Sequence, residues 1–332
     1  MLRRSFLILG AVLAPMASPV RSQPPVRTVR PVRLVWFPRF SPDGKWLISA
    51  HGGWDANERG EARVLDAETG DEKFVVPSER GVRSVAWGAK GKQFVVGNYG
   101  GTIRFYNSET GRPTDELRLP ASAEVLQVSP EGKSLVIAHG DGTIRVIEIP
   151  SKKELQVWKG VHRGGIWGMR LSADGKLLAS AGKDGVVRIY DMLTFKILHE
   201  LAHPGETNGL VFTKDGKFLL TGCGDAAIRV FEVASGQEQR QLKGHAVGSI
   251  TDLDVSPDGK LLASAGIDRT VRLWDLADFE NPRLKSTLEG HSSLAFGVAF
   301  SPNGKWLASC GWDDKIALWN LATGKEQWSW SR

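Results

Sequence analysis

Short apolar runs alternate with turn-forming residues from residue 34 to residue 330, and no stretch shows the 3.6-residue period of a helix. A typical pair is Leu-Leu-Ala-Ser-Ala at 261–265 and Thr-Val-Arg-Leu-Trp-Asp at 270–275, where apolar side chains alternate with polar ones. Alternation with a period of two is typical of half-buried strands. The pattern therefore predicts an all-β domain of short strands.

One turn phrase recurs seven times and divides this domain into similar units. Its usual form is Ser-Pro-Asp-Gly-Lys, as at 41–45, and its glycines are 41 to 47 residues apart. Proline fixes φ, aspartate bonds back to the backbone and glycine accepts a positive φ, which is the chemistry of a tight hairpin. The glycines are Gly44, Gly91, Gly132, Gly175, Gly216, Gly259 and Gly304. Each unit has room for four strands.

These units resemble the repeats of the WD-repeat family of β-propellers. The Trp-Asp pair that gives the family its name stands at 274–275, and Gly-His pairs precede the sixth and seventh repeats at 244–245 and 290–291. The resemblance extends from about residue 34 to residue 330. It implies a seven-bladed β-propeller of four-stranded antiparallel blades, which acts as a rigid platform for a protein or peptide partner.

The resemblance also implies a structural hydrogen-bond network within blades, which joins a loop histidine, a Ser or Thr, an Asp and an aromatic residue. The residues that match it are His162, Ser180 and Asp184; His203, Thr221 and Asp225; His245, Ser264, Asp268 and Trp274; and His291, Ser309, Asp313 and Trp319. Ser, His and Asp could form a hydrolase triad, but recurrence at a fixed offset indicates blade construction. We therefore predict no catalytic residue and no enzymatic activity. The first three repeats lack this histidine, so packing is expected to hold them.

The face that carries the histidine loops and the Asp turns offers the most specific candidate for partner binding. In a closed ring the seventh, first and second repeats are neighbours, which would gather aromatic side chains and an arginine in one sector. Such side chains dominate the binding energy of protein interfaces. The predicted partner-binding residues are Trp36, Trp54, Arg83, Tyr99, Trp167, Phe296 and Trp312. The alternative is that some of these rings pack inward between blades.

Charge and cysteine content narrow the choice of ligands. The 332 residues carry a formal charge of +6, but residues 1–33 hold six arginines and no acid, so the remainder is formally neutral. The basic surface needed for nucleic-acid binding is therefore missing. Cys223 and Cys310 lie in different repeats and are expected to be buried free thiols, and no Cys-x-x-Cys-His haem motif occurs. We predict neither a metal nor a cofactor.

The N-terminus has the features of a bacterial secretory signal at 1–22. Two arginines at 3–4 precede an apolar run at 6–14, and small residues permit cleavage after Ala17 or, as we prefer, after Ser22. The segment Arg-Arg-Ser-Phe-Leu resembles the twin-arginine export motif. Residues 23–33 form a Pro/Arg-rich linker and 34–332 the propeller. This predicts an exported protein, periplasmic or extracellular, with no stable membrane span once the signal is removed.

The predicted function is a non-enzymatic scaffold for protein–protein interaction. Two alternatives stay open: an enzyme or small-ligand receptor that uses the central channel, and an intracellular scaffold with an uncleaved N-terminus. Closure of the ring is open as well, because either residues 325–330 or residues 24–33 could supply the outer strand of the last blade.

Overall fold

A computed structural model describes residues 34–53 and 57–331, and over these residues the predicted fold is confirmed. The described chain forms 28 strands in seven four-stranded antiparallel sheets, with no helix. Accordingly, no described segment is a helix long and apolar enough to cross a membrane. The predicted signal and linker at 1–33 and the predicted site residue Trp54 lie outside the described residues.

Each blade consists of four strands that are consecutive in the chain. The strands of the first three blades are β1 (Leu34–Phe40), β2 (Trp46–Gly52), β3 (Gly60–Asp66), β4 (Glu72–Ser78), β5 (Val82–Trp87), β6 (Gln93–Asn98), β7 (Thr102–Asn107), β8 (Pro113–Arg118), β9 (Ala123–Val128), β10 (Ser134–His139), β11 (Ile144–Glu148) and β12 (Glu154–Trp158). Those of the fourth and fifth are β13 (Ile166–Leu171), β14 (Leu177–Gly182), β15 (Val186–Asp191), β16 (Ile197–Ala202), β17 (Thr207–Phe212), β18 (Phe218–Cys223), β19 (Ala227–Glu232) and β20 (Glu238–Lys243). Those of the sixth and seventh are β21 (Ile250–Val255), β22 (Leu261–Gly266), β23 (Val271–Asp275), β24 (Arg283–Leu288), β25 (Ala295–Phe300), β26 (Trp306–Gly311), β27 (Lys315–Asn320) and β28 (Lys325–Ser331).

The first strand of each blade lies innermost and borders the central channel. Neighbouring inner strands approach so closely that glycine is required at some contacts. A Cβ atom added to Gly168 would lie 2.0 Å from the carbonyl oxygen of Asn208 in the next blade, and one added to Gly209 would lie 3.0 Å from Leu253 Cγ. The core is the set of apolar layers between adjacent blades, so no blade buries its faces alone.

The recurring turn phrase joins the first and second strands of each blade, and in the phrases that begin with Ser or Thr its own side chains close the turn. In the sixth blade Ser256 Oγ donates to Asp258 Oδ1 at 2.6 Å, and the same oxygen accepts from the Lys260 amide at 3.1 Å. Gly259 between them has a φ of +75°. The hairpin is therefore closed by local polar contacts, which explains why the phrase recurs in nearly constant form.

Residues 325–330 form the outer strand of the last blade, which decides between the two closures left open by the sequence. β28 pairs with β27 of its own blade, and no described strand crosses from one blade to another. Side chains join the seventh blade to the first instead. Trp328 Nε1 donates to the Ala67 carbonyl at 3.3 Å, the Arg63 guanidinium lies 4.6 Å from the Trp330 ring, and the buried Cys310 thiol donates to Val35 O at 3.3 Å. Both cysteines are free and buried, as expected.

We expect Trp328→Ala to weaken ring closure. The substitution removes a half-buried ring and its hydrogen bond to the first blade, which should lower the free energy of unfolding by roughly 2 kcal/mol. Urea denaturation provides the measurement. Leu284→Ala, on the exposed outer strand of the sixth blade, is the control and should change stability by less than about 0.5 kcal/mol. Equal effects of the two substitutions would contradict closure by these side chains.

Candidate functional site

An aromatic cluster fills the end of the channel on the face of the histidine loops. Trp36 is buried and meets Phe296 edge-on, with ring centroids 4.7 Å apart, and Trp312 edge-on at 6.2 Å. The Arg83 guanidinium lies over the Trp36 ring, 3.9 Å from its centroid. We call these four residues the aromatic plug. The structure thus brings together side chains from the seventh, first and second blades.

A buried ion pair fixes the arginine of the plug. Arg83 Nε donates to Glu124 Oε2 of the third blade at 3.0 Å, and Glu124 Oε1 accepts from Ser122 Oγ at 2.6 Å. Arg83 Nη1 is buried without a hydrogen-bond partner among the described residues. Because a buried charge is costly unless it is paired, the Glu124 contact holds Arg83 against Trp36 and ties the second blade to the third.

The predicted partner-binding residues divide into two groups by exposure. Trp36, Arg83 and Phe296 are buried, so in this conformation they support the surface from below. Tyr99, Trp167 and Trp312 are half-buried on the same face. Burial raises the pKa of Tyr99 to about 12, so its phenol is neutral at physiological pH, and its hydroxyl has no hydrogen-bond partner among the described residues. Some rings therefore pack inward, whereas others face outward.

The sixth blade contains the complete hydrogen-bond network. His245 Nε2 lies 2.8 Å from Ser264 Oγ, His245 Nδ1 lies 3.0 Å from Asp268 Oδ2, and Trp274 Nε1 donates to Ser264 Oγ at 2.9 Å. Burial lowers the pKa of His245 despite the nearby carboxylate, so its imidazole is neutral at pH 7. The seventh blade repeats the arrangement with His291, Ser309, Asp313 and Trp319.

The fourth and fifth blades vary the network. In the fourth, His162 contacts Ser180 Oγ at 2.7 Å and Asp184 Oδ1 at 2.9 Å, and the Tyr190 hydroxyl takes the place of the tryptophan at 3.1 Å from that serine. In the fifth, His203 Nε2 and Thr221 Oγ1 are 2.8 Å apart, and Phe231 packs against the His203 ring.

The expected link between His203 and Asp225 is replaced. Both carboxylate oxygens of Asp225 accept from the Arg229 guanidinium, at 3.0 and 2.5 Å, while His203 Nδ1 lies 3.0 Å from the Leu201 carbonyl. A bidentate arginine contact is stronger than a single bond to a neutral imidazole, so the carboxylate turns to the arginine.

The first three blades, which are expected to be held mainly by packing, also contain hydrogen bonds of other polar side chains. His51 Nε2 lies 2.8 Å from Ser49 Oγ on the same strand. In the second blade, Asn98 Oδ1 accepts from two amides of its turn, at 3.0 Å each. His139 Nδ1 lies 2.9 Å from the Ser122 carbonyl. His51 and His139 lie at the ends of second strands, whereas the histidines of the network lie in the loop before the blade.

The opposite end of the channel, on the face of the turn phrases, contains a cavity of about 280 Å³. We call it the channel cavity. Six of its lining residues lie two positions before a turn phrase, of which Arg39, Gln127, Arg170 and Asp254 are charged or polar and Ala86 and Ala299 are apolar. Its apolar wall includes Phe40, Trp87, Val128, Phe300 and Pro302. The sequence reasoning missed this site, although arginine or aspartate at three positions where other repeats have alanine, valine or glutamine was a usable signal.

Four charged side chains meet beside the channel cavity. Arg170 Nη2 donates to Asp252 Oδ1 at 2.8 Å, and Arg39 Nη1 lies 3.7 Å from Asp252 Oδ2. Asp254 Oδ2 accepts from the Phe300 amide at 2.7 Å. Burial raises the pKa of Asp254 to about 6, and burial together with the charge of Arg170 lowers the pKa of Arg39 to about 10. Ionisable groups with shifted pKa values that lie beside a cavity indicate a candidate functional site.

Metal binding has no support in the described part of the chain. There, no group of three or more His, Cys, Asp or Glu side chains is placed to hold an ion.

The fold and the recurring His–Ser–Asp network define a repeat-built β-propeller, and the comparisons with known proteins agree. Residues 73–107, 236–275 and 282–320 match the family model described as WD domain, G-beta repeat. Over these segments the chain is therefore similar to WD-repeat proteins, and its seven-bladed fold agrees with that similarity.

Three curated relatives illustrate the likeness. U3 small nucleolar RNA-associated protein 21 of Saccharomyces cerevisiae is 26% identical over 170 residues, which cover 51% of this chain and 18% of the yeast protein. The LEC14B homolog of Prunus armeniaca is 28% identical, with 58% and 46% covered, and the serine-threonine kinase receptor-associated protein of Gallus gallus is 29% identical, with 46% and 41% covered. The alignments thus span less than half of each relative.

A second family model, the Cytochrome D1 heme domain, matches residues 130–234. Two histidines of this segment, His162 and His203, are engaged in hydrogen bonds within the propeller. Both ring nitrogens of His162 contact groups of the fourth blade, those of His203 contact Leu201 of the fourth blade and Thr221 of the fifth, and no histidine lines the channel cavity. The matched segment contains strands of the third, fourth and fifth blades.

Asp254→Asn should stabilise the protein at high pH and not at low pH. The folded pKa of about 6 exceeds the ordinary 3.8, so the contribution of this carboxyl is complete below pH 3.8 and is lost as the pH rises through 6. Removing the charge should add up to about 3 kcal/mol to the free energy of unfolding at pH 8, and almost nothing at pH 4. Urea denaturation at both pH values is the measurement, with the exposed loop substitution Glu79→Gln as control. A gain that does not change with pH would contradict the account.

Proposed function

We propose that this protein is a non-enzymatic scaffold that binds a protein or peptide partner on the face of the histidine loops. The observation that carries the proposal is the aromatic plug, whose Trp312 ring is half-buried. Tyr99 and Trp167 are further half-buried aromatic residues on the same face. The names of two relatives, one RNA-associated and one receptor-associated, describe those proteins by what they associate with. They support an interaction role here.

Rigid aromatic rings are well suited to such a surface. Trp312 stacks on Phe296 with centroids 5.8 Å apart and an interplanar angle of 15°, and Phe296 in turn packs against buried Trp36. A ring held in place by its neighbours loses little conformational entropy on binding, so more of its contact energy contributes to affinity. The exposed edge of Trp312 is thus a preorganised anchor.

The burial of the serine and histidine side chains of the network favours a scaffold over a hydrolase. Ser264 is completely buried and already contacts His245 and Trp274 through its hydroxyl oxygen. A nucleophile must reach the substrate, and these side chains face the interior of the blade. Their arrangement therefore serves the blade.

We further propose that the protein is exported and that the mature chain begins at Gln23. The proposal rests on the sequence of residues 1–22, with its two arginines, apolar run and small residues before the cleavage position. The twin-arginine route, which carries folded proteins, is the proposed pathway.

Alanine substitutions on the plug face test the partner-binding proposal. The mature protein is used to isolate a partner from the native cell envelope, and the affinity of that partner is then measured for Tyr99→Ala, Trp167→Ala and Trp312→Ala. At least one of these should raise Kd about thirtyfold, equivalent to about 2 kcal/mol. Phe279→Ala, a half-buried aromatic residue on the turn-phrase face, is the matched control and should leave Kd within about twofold.

Unchanged affinity in a folded triple variant would overturn the assignment of this face.

N-terminal sequencing of the material from the envelope fraction should find Gln23 first. A chain that retains Met1 would contradict export.

A further inference from the structure

The channel cavity lies at the opposite end of the channel from the plug and combines a charged pole with an apolar wall. We propose that it binds a small monocarboxylate, whose carboxylate meets Arg39 and Arg170 and whose apolar body lies against Trp87, Val128 and Phe300. This site is independent of the proposed partner face.

The charged pole has donors to spare for an incoming carboxylate. Arg39 Nη1 donates to the Pro38 carbonyl at 2.9 Å, and no described residue accepts from its Nε or Nη2. Arg170 uses Nη2 on Asp252, a buried carboxylate that also accepts from the Val298 amide at 3.2 Å. Two guanidinium groups therefore share one well-bonded carboxylate. Planar guanidinium groups bind carboxylates with particular strength.

The surface around the mouth of the cavity favours an anion. The seven turn phrases on this face carry nine lysines and five carboxylates. The lysines are Lys45, Lys90, Lys92, Lys133, Lys176, Lys214, Lys217, Lys260 and Lys305, and the acids are Asp43, Glu131, Asp174, Asp215 and Asp258. Four of the acids also accept hydrogen bonds inside their own turns. An excess of positive charge around a cleft concentrates anions there.

Size and wall chemistry narrow the anion to a small, mostly apolar one. The cavity of about 280 Å³ is at the lower end of the range for ligand pockets. Polar and apolar surfaces share its lining about equally, and a body such as a phenyl ring or a branched alkyl group would be desolvated favourably against the aromatic and aliphatic side chains of the apolar part. A multiply charged anion would be disfavoured, because its further charges would lie against this apolar wall or against the carboxylates of Asp252 and Asp254.

Asp254 gives the site a distinctive dependence on pH. Its Oδ2 accepts from the Phe300 amide of β25, and no described residue donates to its Oδ1. The charged groups that face it are Arg39 from β1, Arg170 from β13 and Asp252 on its own strand. With a pKa of about 6 it is protonated in mild acid, and its hydroxyl can then donate to the ligand carboxylate. The carboxyl group of Asp254 and the carboxylate of the ligand then share one proton. Binding therefore takes up a proton and weakens as the pH rises.

Calorimetric titration of the full propeller with phenylacetate, and with phenylacetamide as the uncharged match, tests the proposal. The wild type should bind phenylacetate at least tenfold more tightly than the amide, and at least tenfold more tightly at pH 5.5 than at pH 8.0. Arg39→Gln should weaken binding at least tenfold. Arg145→Gln, an arginine on the third strand of its blade, is the control and should leave Kd unchanged. Melting curves establish that each variant is folded.

Asp254→Asn separates the proton effect from anion binding. The asparagine amide can donate at any pH, so this variant should bind phenylacetate with the same Kd at pH 5.5 and pH 8.0.

A short peptide that ends in a free Phe carboxylate, compared with its C-terminal amide, shows whether a chain terminus is the source of the carboxylate. The proposal is overturned if neither acid binds the wild type at millimolar concentration. It is equally overturned if folded Arg39→Gln binds as tightly as the wild type.

Discussion

The structure depends on how seven inner strands fill the centre of the ring. Adjacent strands approach so closely that Gly168 cannot carry a side chain without displacing the next blade, and a side chain at Gly209 would contact the next blade tightly. The centre is then filled from a few positions only, chiefly by Trp36 and by Arg83, which stacks on it. Because Arg83 is buried, its pairing with Glu124 is what allows a charged group to complete this packing.

This central packing makes the two ends of the channel different. The plug closes one end with rings that have little freedom, which suits recognition of a large partner. The other end stays open, and there Arg39, Arg170 and Asp254 border a space that protein atoms do not fill. One scaffold can therefore present a surface on one face and a pocket on the other, with no blade changing its architecture.

Much of this could be predicted from the sequence, because repetition gives each local signal seven times. The turn phrases predicted the hairpins, and the histidine offsets matched the bonds of His245 and His291. The burial of individual side chains within the ring was harder to predict. A residue such as Trp36 has the same sequence position whether its ring faces solvent or the interior, and only the packing of neighbouring blades decides. The polar contacts of the first blade could not be predicted from the histidine offsets, because His51 lies at the end of a strand and bonds within that strand.

A double-mutant cycle on Arg83 and Glu124 tests the central claim most directly. The free energies of unfolding of the wild type, Arg83→Met, Glu124→Gln and the double variant are compared by urea denaturation. Each single substitution leaves a buried group without its partner and should cost about 3 kcal/mol or more. The double variant should be more stable than the sum of the two losses by at least about 2 kcal/mol. Losses that add to within about 0.5 kcal/mol would contradict the claim that this pair holds the centre of the ring.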